Sequence, residues 1–378
     1  RDIHCSLVGS EMCIRDRINS GIQRKYYQKV AVSILYYRHY SSTRFELFNI
    51  NMTAAGPDIA DVGALRERLQ GEIASTPVVR CAAIEETIGG GTQVYAKLEF
   101  LQRTGTFKAR GALATLHSLS PEQLAAGVTA VSAGNHAIAT AYAAQALGTT
   151  AKVVMLRAAN PSRVEACRSY GAEVVLADDV HQAFDMAERI QNDEGRYFVH
   201  PFEGPAVALG TGTVGLEICE QCEDFDAIIV PVGGGGLLAG IANAVKRLKP
   251  ACDVIGVEPE GADTMHRSLA SGGPVAIDAV RTIADSLGAP FAMPYSFGIC
   301  QMHVDRLAMV DDMQLRRAMG FLFREMKIAV EPACAASTAA LLGPLRDELA
   351  GKRIVLVMCG SNIDWQTFAE QAVFDELS

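Results

Sequence analysis

Two hydrophobic patterns alternate along this chain. From about residue 94 onward, short β-rich runs alternate with longer stretches whose apolar positions recur at helical spacing. "VYAKLEF" (94–100) precedes a helix from about Lys108, "VTAVS" (128–132) one from about His136, "AKVVML" (151–156) one from about Pro161, and "AEVVLA" (172–177) one from about Val180. "AIIVPV" (227–232), "DVIGVEP" (253–259) and "RIVLVMCG" (353–360) complete the series. Strands apolar on both faces and separated by helices predict the α/β class, with open, mostly parallel sheets covered by helices. Ligands of such folds sit at the carboxyl ends of the strands. The Gly/Pro-rich stretch 271–298 reads as a long irregular surface segment, and no repeat of 20–50 residues is visible.

Composition narrows the partners. With 378 residues, 49% hydrophobic and 20% charged, the chain can bury a large core and divides into two lobes. A formal net charge of -9 argues against a nucleic-acid footprint and leaves small molecules as partners. Residues 1–51 differ from the rest, carrying +4 against -13 for the remainder. Their early part has neither a helical nor a strand period, so they read as a non-native or disordered extension ahead of Met52. A basic transit peptide is the alternative. Their longest apolar run, "VAVSILYY", is too short to span a bilayer, so no membrane partner is expected. The ten cysteines lack paired spacings apart from Cys219 and Cys222, which fits reduced thiols in a cytoplasm better than a disulfide framework or a zinc site.

The chemistry gathers in strand-exit loops. Gly233-Gly234-Gly235-Gly236 follows "AIIVPV" and opens an amphipathic helix. Four glycines let successive N–H groups turn inward at a positive helix end, which suits a phosphate; a flexible turn is the plainer alternative. Ser132-Ala133-Gly134-Asn135-His136 suits a carboxylate, or is an ordinary N-cap. Cys359-Gly360-Ser361-Asn362 falls at the same sheet edge. "TGTFKARG" (104–111) adds Lys108, taken alone either a solvated charge or a nucleophile. A phosphate cradle, a carboxylate cradle, a polar loop and a lysine together describe pyridoxal phosphate holding an amino acid.

The chain from roughly residue 75 to 365 resembles the fold-type II (tryptophan synthase β-like) pyridoxal-phosphate enzymes, within them the threonine/serine dehydratase and serine racemase group. "KLEFLQRTGTFKARGA", "SAGNHA", "HPFEGPAVALGTGTVGLEI", "PVGGGGLLAG" and "CGSNID" carry the resemblance, in family order. It implies a large lobe from 52–120 and 205–378, a small lobe from 121–204, and a homodimer as the assembly to test. By the resemblance Lys108 is the Schiff-base lysine and the base at Cα. Phe107 packs on the cofactor ring, Asn135 meets the ring 3-oxygen, and Gly233, Gly234, Gly235 and Gly236 bind the phosphate. Ser132, Asn135 and His136 line the substrate carboxylate, and Cys359 meets the ring nitrogen. A thiol cannot hold a pyridinium as a carboxylate would, which favours prompt loss of a β-substituent. The position matched to the racemase's second base is Ala133, which moves no proton. In "VEPEGADT" Glu258 matches a metal-ligand position, but Thr264 replaces an acidic ligand, so no metal is expected and Glu258 is the one candidate. The implied reaction is elimination of the hydroxyl from a β-hydroxy amino acid, threonine or serine first, giving a 2-oxo acid and ammonia. Phenylserine, 3-hydroxyaspartate, serine racemisation and a non-catalytic binding module are the alternatives. His200, beside Pro201 and Phe202, reads as a loop-shaping residue.

Overall fold

The computed structural model describes residues 56–132 and 134–374. The extension 1–51, the start expected at Met52, and Ala133 lie outside the described residues.

In chain order the elements begin α1 (Ile59–Arg68), β1 (Val78–Arg80), α2 (Ala82–Ile88), β2 (Gln93–Leu98), α3 (Lys108–His117), α4 (Pro121–Ala126), β3 (Val128–Val131), α5 (Asn135–Ala146) and β4 (Ala151–Leu156). Next come α6 (Pro161–Ser169), β5 (Glu173–Ala177), α7 (Val180–Glu194), β6 (Tyr197–Phe198), α8 (Pro205–Gln221), β7 (Ala227–Pro231), α9 (Gly236–Leu248) and β8 (Asp253–Pro259). The remainder is α10 (Thr264–Ser271), α11 (Pro294–His303), β9 (Arg306–Val310), α12 (Asp312–Met326), α13 (Pro332–Leu342), α14 (Arg346–Leu349), β10 (Arg353–Met358) and α15 (Trp365–Gln371). Every run singled out in the sequence contains a strand. The helix starts follow local capping chemistry: the Asn160 side chain accepts from Ser162 N with Pro161 in the first turn, and Asp179 accepts from Gln182 N.

The strands form two sheets, β1-β2-β10-β7-β8-β9 and β5-β4-β3-β6. All pairings are parallel except β1 with β2. Every residue of β7 is buried, so both faces of the larger sheet are covered, as its unbroken apolar run requires. Each sheet has its own apolar cluster. The smaller cluster also takes Leu65 and Leu69 from the α1 segment, and Ala112, Leu113 and Leu116 from α3.

Two findings depart from the sequence reading. The strands β1, β6 and β9 were not expected: the first two have three and two residues, and β9 alternates in burial because it is an edge strand. The stretch 271–298 is not wholly a surface segment. Ala284 and Leu287 are buried, a Cβ on Gly233 would lie 3.1 Å from Leu287 Cα, and α11 begins inside the stretch at Pro294.

One charged cluster holds α3 in place. Arg110 donates to Glu99 (2.8 Å) and Glu217 (2.6 and 2.8 Å), and Lys97 Nζ lies 2.6 Å from Glu217 Oε2 and from the Thr76 carbonyl oxygen. None of the four charged side chains is more than 3% exposed. Loss of water works against the Arg110 charge, and Glu99 and Glu217 outweigh it, so the guanidinium stays ionised. Removing one partner leaves an uncompensated buried charge. Arg110→Ala is therefore expected to cost about 3–5 kcal/mol of unfolding free energy, read by urea denaturation of the cofactor-free protein; a loss below about 1 kcal/mol would contradict this account.

Candidate active site

The site forms where loops leaving β3, β7 and β10 converge on the start of α3. The loop before α3 is stitched to the loop after β10: Phe107 N donates to the Cys359 carbonyl (3.2 Å), Ser361 N to the Gly105 carbonyl (3.0 Å), and Asn362 Nδ2 to the Thr104 carbonyl (2.8 Å). Thr106 and Gly360 form an antiparallel bridge. Lys108 is the first residue of α3, and its Nζ donates to the Pro201 carbonyl at 2.6 Å and lies 5.0 Å from the Phe107 ring centroid. Loss of water around it lowers the Lys108 ammonium to about 8, although Cys359 and Glu331 act in the opposite sense.

Lys108 shares a cavity with Phe107, His136, His200, Thr211 and Gly236. Both imidazoles are neutral. Burial, with a contribution from Lys108, holds His136 down to about 3, and burial holds His200 at about 3 with His136 and Lys108 adding to it. Neutral His136 therefore donates Nε2–H to the Val199 carbonyl (2.8 Å). His200 shapes its loop: Nδ1 accepts from the N–H of Phe202 (3.3 Å) and Glu203 (2.9 Å).

The glycine run sits at the N-terminus of α9, with Gly235 as the cap at φ 90°. Its backbone is approached too closely for side chains. A Cβ on Gly234 would lie 2.2 Å from Phe202 Cγ, and one on Gly236 would lie 2.4 Å from the Phe202 carbonyl oxygen. A bare backbone turn against a helix N-terminus fits a phosphate, and with an adjacent desolvated lysine it fits the donor set of pyridoxal phosphate. Thr211 adds a tie that sequence reasoning missed, its hydroxyl donating to the Gly236 carbonyl at 2.8 Å from α8. The only signal was that "LGTGT" differs from the group's usual sequence.

The other expected residues are distributed as follows. Ser132 Oγ accepts from Gly134 N (3.1 Å), so its hydroxyl braces its own loop. Asn135 is 6% exposed; its Nδ2 donates to Glu331 Oε1 (2.7 Å) and Ser286 Oγ (3.2 Å), and its Oδ1 accepts from Asn362 Nδ2 (2.9 Å). Cys359 is buried, and the Cys334 thiol beside it together with burial pushes its own thiol well above the usual value, keeping it protonated. Glu258 does not face such a site. Both carboxylate oxygens accept backbone N–H groups, from Met265 and His266 at 2.7 Å each, at the start of α10. Burial raises its carboxyl to about 8 in spite of those bonds. Among the described residues no group of three or more His, Cys, Asp or Glu is placed to hold a metal ion. Sequence reasoning also missed Glu331 and Arg163, which reach this site from distant segments and carry no motif of their own.

A family model described as "Pyridoxal-phosphate dependent enzyme" matches residues 69–360. The chain is 55% identical over 317 residues to phenylserine dehydratase of Ralstonia pickettii, covering 84% of this chain and 97% of that relative. It is 37% identical over 307 residues to L-threonine ammonia-lyase of Thermotoga maritima, covering 81% and 76% of the two chains. Among solved structures, maize serine racemase superposes with a TM-score of 0.79 at 33% identity, covering 84% of this chain and 96% of that one. The expected α/β architecture and cofactor are thus those of its relatives, and among the described residues no helix is long and apolar enough to cross a membrane. With a desolvated lysine, a bare glycine turn and these relatives in agreement, the chain belongs to the pyridoxal-phosphate-dependent enzyme family, in its fold-type II branch.

Proposed function

We propose that this chain is an ammonia-lyase that eliminates the β-hydroxyl of a β-hydroxy amino acid, giving a 2-oxo acid and ammonia, with 3-phenylserine ahead of threonine and serine. The observation that carries the reading is Lys108: an amine lowered to about 8, at the head of a helix, in one cavity with Gly236 and two neutral imidazoles. A base near neutrality needs that lowered value. When bound, pyridoxal phosphate supplies an electron sink at the substrate α-carbon. Gly233 to Gly236 and the head of α9 hold its phosphate, Phe107 packs on its ring, Asn135 meets the 3-oxygen by exchanging the longer of its two Nδ2–H bonds, the 3.2 Å one to Ser286, and Cys359 offers a neutral thiol to the ring nitrogen. Ser132, Asn135 and His136 face the substrate carboxylate, and Lys108 Nζ takes the Cα proton. His136 and His200 titrate too low to compete for that proton.

Substrate order follows from two observations. The identity to a phenylserine dehydratase, 55%, exceeds the 37% to a threonine ammonia-lyase, which moves phenylserine to the front. A second substrate carboxylate, as in 3-hydroxyaspartate, needs a spare cation. Arg163, packed against the Ser132–Asn135 loop, already gives its donors to Asn362, Asp285 and Glu331. The reading also includes the large lobe 52–120 with 205–378, the small lobe 121–204, a cytoplasmic setting, a homodimer, and an amino acid as partner in place of nucleic acid or membrane.

Protein reconstituted with pyridoxal phosphate should release ammonia and phenylpyruvate from phenylserine, and release 2-oxobutyrate from threonine more slowly. Lys108→Ala should lose all turnover, and release of no 2-oxo acid from phenylserine, threonine or serine would overturn the reading. In the cofactor-free protein, modification of Lys108 by an amine-directed reagent should show a midpoint near pH 8. A midpoint near the ordinary lysine value of about 10.4 would mean that Lys108 is a solvated charge.

A further inference from the structure

Glu331 is the N-cap residue of α13, yet its side chain makes no cap hydrogen bond. It is 1% exposed and turns into the junction between the two sheets. Its Oε1 accepts from Asn135 Nδ2 at 2.7 Å, and its Oε2 lies 3.4 Å from Arg163 Nη2. The carboxylate also lies on the backbone of the loop after β10, since a Cβ on Gly360 would come within 2.8 Å of Oε1. Arg163, 7% exposed, closes the ring by donating Nε to the Asn362 carbonyl (2.8 Å) and Nη1 to Asp285 (2.5 Å). Its side chain packs against Gly134, where a Cβ would be 2.8 Å from Arg163 Cδ and 2.9 Å from Nη1. The Asn135 amide is thereby held at both ends, its oxygen by Asn362 and its nitrogen by Glu331.

Resting on the function proposed above, we propose that Glu331 is a positioning residue: gripping Asn135 and Arg163 together, it fixes the Asn135 side chain at the cofactor site, and in its ionised form it adds negative charge to the surroundings of Lys108. A carboxylate is suited to this because it accepts from an amide and a guanidinium at once, each bond charge-assisted. The charged or titratable groups that face it are Arg163, Asp285 beyond Arg163, Lys108 and Cys359. Burial raises the Glu331 carboxyl to about 7, with Arg163 opposing, so the group changes charge near neutrality. Ionised Glu331 favours the protonated state of the Lys108 nitrogen, and its loss disfavours it.

The test compares the holoenzyme with Glu331→Gln and Glu331→Ala. Glu331→Gln keeps an acceptor oxygen for Asn135 and removes the charge. It should retain the cofactor while the pH midpoint of the visible cofactor band, set by the nitrogen that Lys108 contributes, moves down by about one unit. Glu331→Ala removes both grips and should weaken pyridoxal-phosphate affinity about tenfold, read by equilibrium dialysis. Should Glu331→Ala fail to fold, Glu331→Gln with Arg163→Lys carries the test, because Arg163→Lys cannot keep the separate bonds to Asn362, Asp285 and Glu331 while it keeps the charge, and should also weaken cofactor affinity. An unchanged band midpoint in Glu331→Gln overturns the proposal and leaves Glu331 a plain helix-start residue. An unsubstituted protein that binds no pyridoxal phosphate overturns the functional reading itself, so the two failures are distinguishable.

Discussion

The placement of Lys108 depends on charges that never touch it. Arg110, two residues further along α3, is clamped by Glu99 and Glu217, and Lys97 shares Glu217 from β2. Burying four ions is costly, and apolar residues of like volume would often be as stable. What such residues would lack is direction: a guanidinium bonded to two carboxylates fixes the rotation of α3 about its axis. One helix rotation then determines where the Lys108 amine lies relative to Pro201 and the glycine turn. The cluster has two positive and two negative members, so the interior carries no net charge there and Lys108 is left to be tuned by its own surroundings.

That tuning is mostly a matter of water removed. The groups that line the cavity of Lys108 are aromatic, aliphatic, neutral imidazole, hydroxyl or backbone, and of the two groups whose charge favours the Lys108 ammonium, Cys359 and Glu331, Glu331 is the one that changes charge near neutrality. The same desolvation that brings the lysine to about 8 brings the histidines to about 3, because histidine starts lower. Three basic groups in one cavity therefore separate into one that can exchange a proton at neutral pH and two that hold loops in shape. Beside the side-chain ring of Asn135, Glu331, Arg163 and Asn362, bonds to backbone atoms brace the site: Thr211 on Gly236, His136 on Val199, His200 under Phe202 and Glu203.

Most of the architecture was legible because buried parallel strands leave unbroken apolar runs, and because the stretches between them keep apolar positions at helical spacing. β1, β6 and β9 were not, since two or three paired residues, or an edge strand with one wet face, do not stand out from loop sequence. In the site, contiguous motifs were readable: the glycine turn, the lysine segment, the "SAGNH" loop. Glu331 and Arg163 are 168 positions apart and meet only when the two sheets come together. Nothing local distinguishes Glu331 from an ordinary residue before a helix-starting proline. Likewise, Glu258 resembled a ligand by its position in a motif, whereas the fold uses both of its oxygens on the head of α10.

The order of strands in the larger sheet has a consequence for how the protein is made. β10 lies between β2 and β7, so the middle of that sheet waits for residues 353–358, whereas the smaller sheet is complete once residue 198 has been added. A chain emerging from the ribosome can thus fold the smaller sheet as a contiguous unit while β2 and β7 each lack a neighbour, their apolar edges open to mispairing. The loop that follows β10 also supplies Cys359 and Asn362, so the pocket around Lys108 is assembled by the last strand to arrive.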